Sequence, residues 1–120
     1  MIFLKSIIKG KSYDFAVRTV RLYQYLTEQK HEYVMSKQVL RSATSVGANV
    51  REALQGQSKA DFTAKMSIAL KEASETEYWL ELLRDTDYLN YDEYTSVQSD
   101  CLEIVKILTS IVKTSRNDSP

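Results

Sequence analysis

The chain has 120 residues, of which 43% are hydrophobic and 27% charged, a composition that suits one globular domain and argues against disorder. Sixteen Lys and Arg balance sixteen Asp and Glu, so the net charge is zero, without the basic excess usual in strong nucleic-acid binders. Three Gly and a single, terminal Pro leave too few turn signals for a sandwich or barrel, and a lone Cys rules out an intrachain disulfide scaffold.

The opening residues 1–11, Met-Ile-Phe-Leu-Lys-Ser-Ile-Ile-Lys-Gly-Lys, are interrupted by Lys5 and followed by no small-residue cleavage site. They read as an N-terminal arm rather than a signal peptide. No stretch approaches the roughly 18 uninterrupted apolar residues of a membrane span, so a cytoplasmic protein with no membrane partner is expected. A four-helix region over residues 12–114 follows, then a polar tail over 115–120.

Ser12 offers an N-cap for a first helix running to Glu28, with Tyr13, Ala16, Val17, Val20, Tyr23 and Leu26 as its inward face. A second helix starts at Ser36, with Val39, Ala43, Val46, Val50 and Ala53 in alternating steps of four and three. Beside that seam, Leu40, Gly47 and Leu54 form another row. Glycine inside a helix costs about 1 kcal/mol against alanine, and close approach of another backbone would compensate; a tolerated glycine in a broad core face is the plainer alternative.

Ser58 and Asp61 read as a capping box for a third helix, which carries Phe62, Met66, Ala69, Ala73, Thr76, Leu80 and Leu83 and ends near Asp85. Asn90 and Glu93 repeat the device ahead of a fourth helix with Val97, Cys101, Ile104, Leu108 and Ile111 along one seam. Cys101 reads as a small buried hydrophobe. Short connections favour an all-α, antiparallel up-down-up-down four-helix bundle. Tyr78, Trp79 and Leu82 lie off the core seam of the third helix, so with Gly47 they are expected to form a homo-oligomer interface. Trp79 could instead cap the end of its own bundle.

The chemistry of sites is sparse. His31 is the only histidine, and Glu28 three residues before it falls short of a di-metal carboxylate pattern. Glu77, Glu81 and Asp85 form a ladder better read as solvated or subunit-bridging than as a metal site. No phosphate loop and no paired nucleophile and base appear, so neither catalysis nor a cofactor is expected. Asn49 is expected to bond a neighbouring helix and fix register, with ligand contact the second reading. Arg18, Arg21, Lys37, Arg41, Arg51 and Lys59 are the candidate nucleic-acid-binding residues, each alone most simply a solubilising charge or half of a weak surface ion pair.

Three stretches carry a family resemblance. Lys11-Ser-Tyr-Asp-Phe-Ala-Val17, the run LRSATSVGANVREAL from Leu40 to Leu54, and Ser58-Lys-Ala-Asp-Phe62 leading to Ala73-Ser-Glu-Thr-Glu-Tyr-Trp-Leu-Glu-Leu-Leu83 resemble the bacterial 23S ribosomal RNA intervening-sequence proteins. That resemblance covers residues 11–112 and implies a four-helix bundle assembling as a homopentameric ring. A related group, accessory proteins of diversity-generating retroelements, is thought to bind nucleic acid and a reverse transcriptase. The family has no agreed catalytic motif. The partners expected are therefore further copies of the chain and RNA or DNA held by phosphate contacts, or alternatively a protein partner alone.

Overall fold

The protein is described by a computed structural model covering residues 1–117. Four helices account for nearly all of it: α1 (Ile2–Glu28), α2 (Met35–Leu54), α3 (Lys59–Asp85) and α4 (Tyr91–Asn117), with no strand among the described residues. They form a slender body of 50 × 21 × 19 Å. Helices adjacent in the sequence pack together, α1 also meets α4, and the diagonal pairs make no contact among the described residues. The α2–α3 contact is the most extensive and the α1–α4 contact the thinnest.

The seams of α2, α3 and α4 lie where the apolar spacing puts them. Val39, Ala43, Val46, Val50 and Ala53 are buried against Met66, Ala69, Ala73, Leu80 and Leu83, with Val97, Cys101, Ile104, Leu108 and Ile111 completing the core. Small residues bring α2 and α3 close enough for the buried Ser42 and Thr76 hydroxyls to hydrogen-bond at 2.8 Å. The Cys101 thiol points at the Ala73 carbonyl at 3.4 Å, and burial pushes its pKa up to about 12, so it is an inert core group.

Two expectations for the first helix are corrected. α1 begins at Ile2, so residues 1–11 are its first turns rather than an arm, and Ser12 lies buried inside the helix, donating to the Lys9 carbonyl at 3.2 Å instead of capping. The inward face is also rotated. Ile8, Ser12, Phe15, Thr19 and Leu26 are buried, with Leu4 and Leu22 packed beside them, while Tyr13, Val17 and Val20 are exposed. Ser12 and Thr19 disguise this seam because each hydroxyl returns its hydrogen bond to its own helix, Thr19 to the Ala16 carbonyl at 2.9 Å, and so enters the core without an orphaned donor.

The helix ends follow from local chemistry. Ser58 Oγ accepts from the Asp61 N–H at 3.1 Å. Asn90 and Glu93 exchange two bonds of 2.8 Å. α2 is started by a group the sequence did not advertise: the buried Glu32 carboxylate accepts the N–H groups of Val34, Met35 and Ser36 at 2.9, 3.0 and 2.7 Å. Ser36, expected as the cap, instead donates its hydroxyl to the Glu32 carbonyl. Burial alone would raise the Glu32 pKa, but these donors hold it below the usual carboxylate value. The expected polar tail is partly α4, since Ser115 is buried and bonded to Thr63, while residues 118–120 lie outside the described residues.

Candidate nucleic-acid interface

The six basic residues singled out from the sequence are not gathered on one surface. Arg18 reaches across to α4, donating to Asp100 at 2.6 Å and to the Ser96 carbonyl at 3.2 Å. Arg41 pairs with Glu72 and Glu75 on α3. Arg51 stacks over the Tyr13 ring, 5.4 Å from its centroid. Arg21, Lys37 and Lys59 are exposed and have no ion pair among the described residues.

The helix register brings other cations together. Lys11 meets Glu103, Arg18 meets Asp100 and Tyr25 meets Glu93, so numbers descend along α4 as they ascend along α1. Lys65 meets Glu52 and Arg41 meets Glu72, which sets α2 against α3 in the same reciprocal way. The start of α1, the end of α2, the start of α3 and the end of α4 therefore share one end of the molecule. That end carries Lys5, Lys9, Lys11, Arg51, Lys59, Lys65, Lys106, Lys113 and Arg116 against Asp14, Glu52, Asp61 and Glu103. A further acid of the sequence, Asp118, lies outside the described residues.

The opposite end has the reverse balance. Glu28, Glu32, Glu72, Glu75, Glu77, Glu81, Asp85, Asp87, Asp92, Glu93 and Asp100 outnumber Arg18, Arg21, Lys30, Lys37, Arg41 and Arg84, with Lys71 near the middle of the body. Charge neutrality of the whole thus hides a basic pole and an acidic pole on a 50 Å body. Each pole contains two helix N-termini and two C-termini, so helix dipoles cancel and side chains set the field.

The acidic ladder on α3 is not uniform. Burial, reinforced by Glu81, raises the Glu77 pKa, whereas the Arg84 guanidinium hydrogen-bonded to Asp85 lowers that carboxylate. Among the described residues no three His, Cys, Asp or Glu side chains gather closely enough to hold a metal ion. His31 sits in the left-handed region, at φ 54°, in the α1–α2 connection, with Nδ1 3.2 Å from the Tyr33 hydroxyl.

The expected interface residues divide. Tyr78 is exposed at 56% and meets the half-buried Trp79 edge-on, with centroids 5.1 Å apart. Trp79 donates its indole N–H to Glu75 at 2.8 Å. Leu82 is half-buried. Gly47 faces its own α1: an added Cβ would lie 3.4 Å from the Ser12 carbonyl oxygen, so the backbone it approaches belongs to the same chain. Asn49 likewise bonds within its own helix, to the Ser45 carbonyl at 2.9 Å and hydroxyl at 3.0 Å, not across to a neighbour as expected.

Two grooves have functional size. One, of about 600 Å³, opens along the thin α1–α4 seam between Arg18, Arg21 and Tyr25 on one wall and Asp92, Glu93 and Ser96 on the other, over Leu22, Leu89 and Val97. The other, of about 390 Å³, lies within the basic pole among Met1, Lys5, Leu54, Ser58, Lys59 and Phe62. Lys5, Lys9, Lys106, Lys113 and Arg116 were not singled out from the sequence. The readable signal was charge summed by helix end once the chain is folded at its three connections, not charge summed over the whole chain.

Residues 5–110 match the family model described as 23S rRNA-intervening sequence protein. A solved structure from Bacteroides thetaiotaomicron VPI-5482, described as a protein with unknown function from the S23 ribosomal protein family, is 56% identical and superposes with a TM-score of 0.90. The match covers 92% of this chain and 98% of that one. No curated protein matches the chain.

Proposed function

The chain belongs to the 23S rRNA-intervening sequence protein family, and from that premise we propose that it is a non-enzymatic, self-associating, cytoplasmic bundle that holds RNA or DNA by its phosphates at the basic pole. One observation carries the reading: cations from all four helices converge on one end, where acids are few. A polyanion laid across that end releases counterions from several lysines at once, and that release supplies most sequence-independent affinity. Arg51 and Lys59, among the residues expected from the sequence, belong to this pole. Arg18 and Arg41 are engaged by acids elsewhere.

The reciprocal helix pairings support an up-down-up-down order, and the family supports a ring of five. The exposed Tyr13, Val17 and Val20 stripe on α1 and Tyr78 on α3 are apolar surface that identical copies would cover. In a ring, one basic pole per subunit becomes a charged rim.

Fluorescence polarisation of labelled RNA tests the pole. Affinity should fall steeply between about 50 and 200 mM salt. Reversing Lys9, Lys106 and Lys113 to Glu should cost roughly tenfold or more, while Arg21→Glu with Lys37→Glu should cost little. Equal losses in both variants would reject the assignment. A second reading, a scaffold for a protein partner with no nucleic-acid role, is favoured by the acidic pole and the apolar α1–α4 groove. Salt-insensitive co-purification of a protein without nucleic acid would select it.

A further inference from the structure

We infer that the cavity in the basic pole is a site for one nucleotide, its base against Phe62 and its phosphate toward Lys5 and Lys59. The inference rests on the basic pole as the polyanion surface and adds which form of nucleic acid it accepts. The cavity holds about 390 Å³, within the roughly 300–1,000 Å³ of small-ligand sites. Its walls combine the three kinds of group a nucleotide needs.

The first is a flat apolar surface. Phe62 is half-buried, so one part of the ring anchors to the core while the rest borders the cavity beside Ala53 and Leu54. Every base has a π-face, so stacking here needs no sequence preference. The second is mobile positive charge. Lys5 Nζ lies 4.6 Å from the Phe62 centroid and Lys59 lines the same cavity. The ammonium on the ring marks the place a base would take. Displaced from it, Lys5 remains within reach of the phosphate joined to that base. The third is a neutral donor. Ser58 Oγ accepts the Asp61 N–H as a helix cap, which leaves its hydroxyl proton free to be donated outward.

One acid lies close by, Asp61 in the first turn of α3. It is outweighed locally by Lys5 and Lys59. A base stacked inside a duplex cannot enter such a cavity, whereas an unpaired one can. The pole is therefore expected to prefer nucleic acid with unpaired nucleotides.

The test compares a labelled twelve-nucleotide single strand, a blunt duplex of the same length and adenosine monophosphate as competitor. The parent protein should bind the strand about tenfold more tightly than the duplex. Phe62→Leu, which keeps an apolar side chain against the core, should erase that preference without weakening duplex binding. Lys5→Gln gives an independent variant that leaves the ring in place and should weaken the strand more than the duplex, which loses only one phosphate contact. Displacement by the monophosphate assigns the cavity to free nucleotide as well; no displacement, with the preference intact, assigns it to nucleotides within a strand. Equal affinity for strand and duplex, unchanged in both variants, overturns the inference and leaves the basic pole standing. Absence of binding to either form overturns the pole and the cavity together.

Discussion

At the scale of single residues, Glu32 has the largest structural task for its size. Its buried carboxylate closes three backbone N–H groups at the start of α2, that of Ser36 fully buried and those of Val34 and Met35 partly so. Glu32→Gln is expected to cost about 1–2 kcal/mol in urea unfolding at neutral pH. Because its folded pKa is lowered, the contribution is complete above the unfolded value of about 4.3 and disappears as pH falls through the folded one. The difference between parent and variant should therefore shrink in acid. Glu77 carries the opposite sign: burial, then Glu81, raises its pKa, so its charge opposes folding at neutral pH and the penalty fades as pH falls. Glu77→Gln should raise the urea midpoint at pH 7 and leave it unchanged near pH 3. The sequence does not disclose Glu32 in this role, because Ser36 offers the ordinary capping residue at the same helix start. A carboxylate reaching forward from outside the helix has no fixed spacing rule.

At the scale of elements, most of the fold was legible. α2, α3 and α4 show their buried faces as apolar residues at steps of three and four, and the caps at Ser58 and Asn90 are written in four residues each. α1 hides its buried face because Ser12 and Thr19 stand in its seam while Tyr13, Val17 and Val20 stand outside it. Deleting residues 2–7 tests the correction: a loose arm would go without consequence, whereas loss of Leu4 and of the Lys5–Phe62 contact should lower the melting temperature by several degrees. Gly47 belongs to the same contact between α1 and α2. With 3.4 Å to the Ser12 oxygen, a methyl group fits, so Gly47→Ala should leave stability unchanged or raise it by up to about 1 kcal/mol. Gly47→Leu overfills the contact and should cost about 1–3 kcal/mol in thermal unfolding.

At the scale of the molecule, the candidate site could not be read from the sequence by charge counting. Lys5 and Lys113 are remote along the chain and share an end only because the helices fold back on one another. Arg18 and Arg41 are halves of surface ion pairs whose acids, Asp100, Glu72 and Glu75, come from helices far away in the sequence. The proposed self-association is tested at this scale too. Light scattering at micromolar concentration should report several subunits, five by family resemblance, and Val17→Lys with Val20→Lys should shift the population toward monomer without altering helicity.

Separation of charge along a neutral rod has a consequence for how a partner is met. With no net monopole, the protein feels little pull from a distant polyanion, and at physiological ionic strength the field is screened beyond about 8 Å. What survives at short range is torque. Beside a polyanion such a body would turn its lysine-rich tip inward and its carboxylates away, so electrostatics would choose the angle of arrival more than the frequency of encounters.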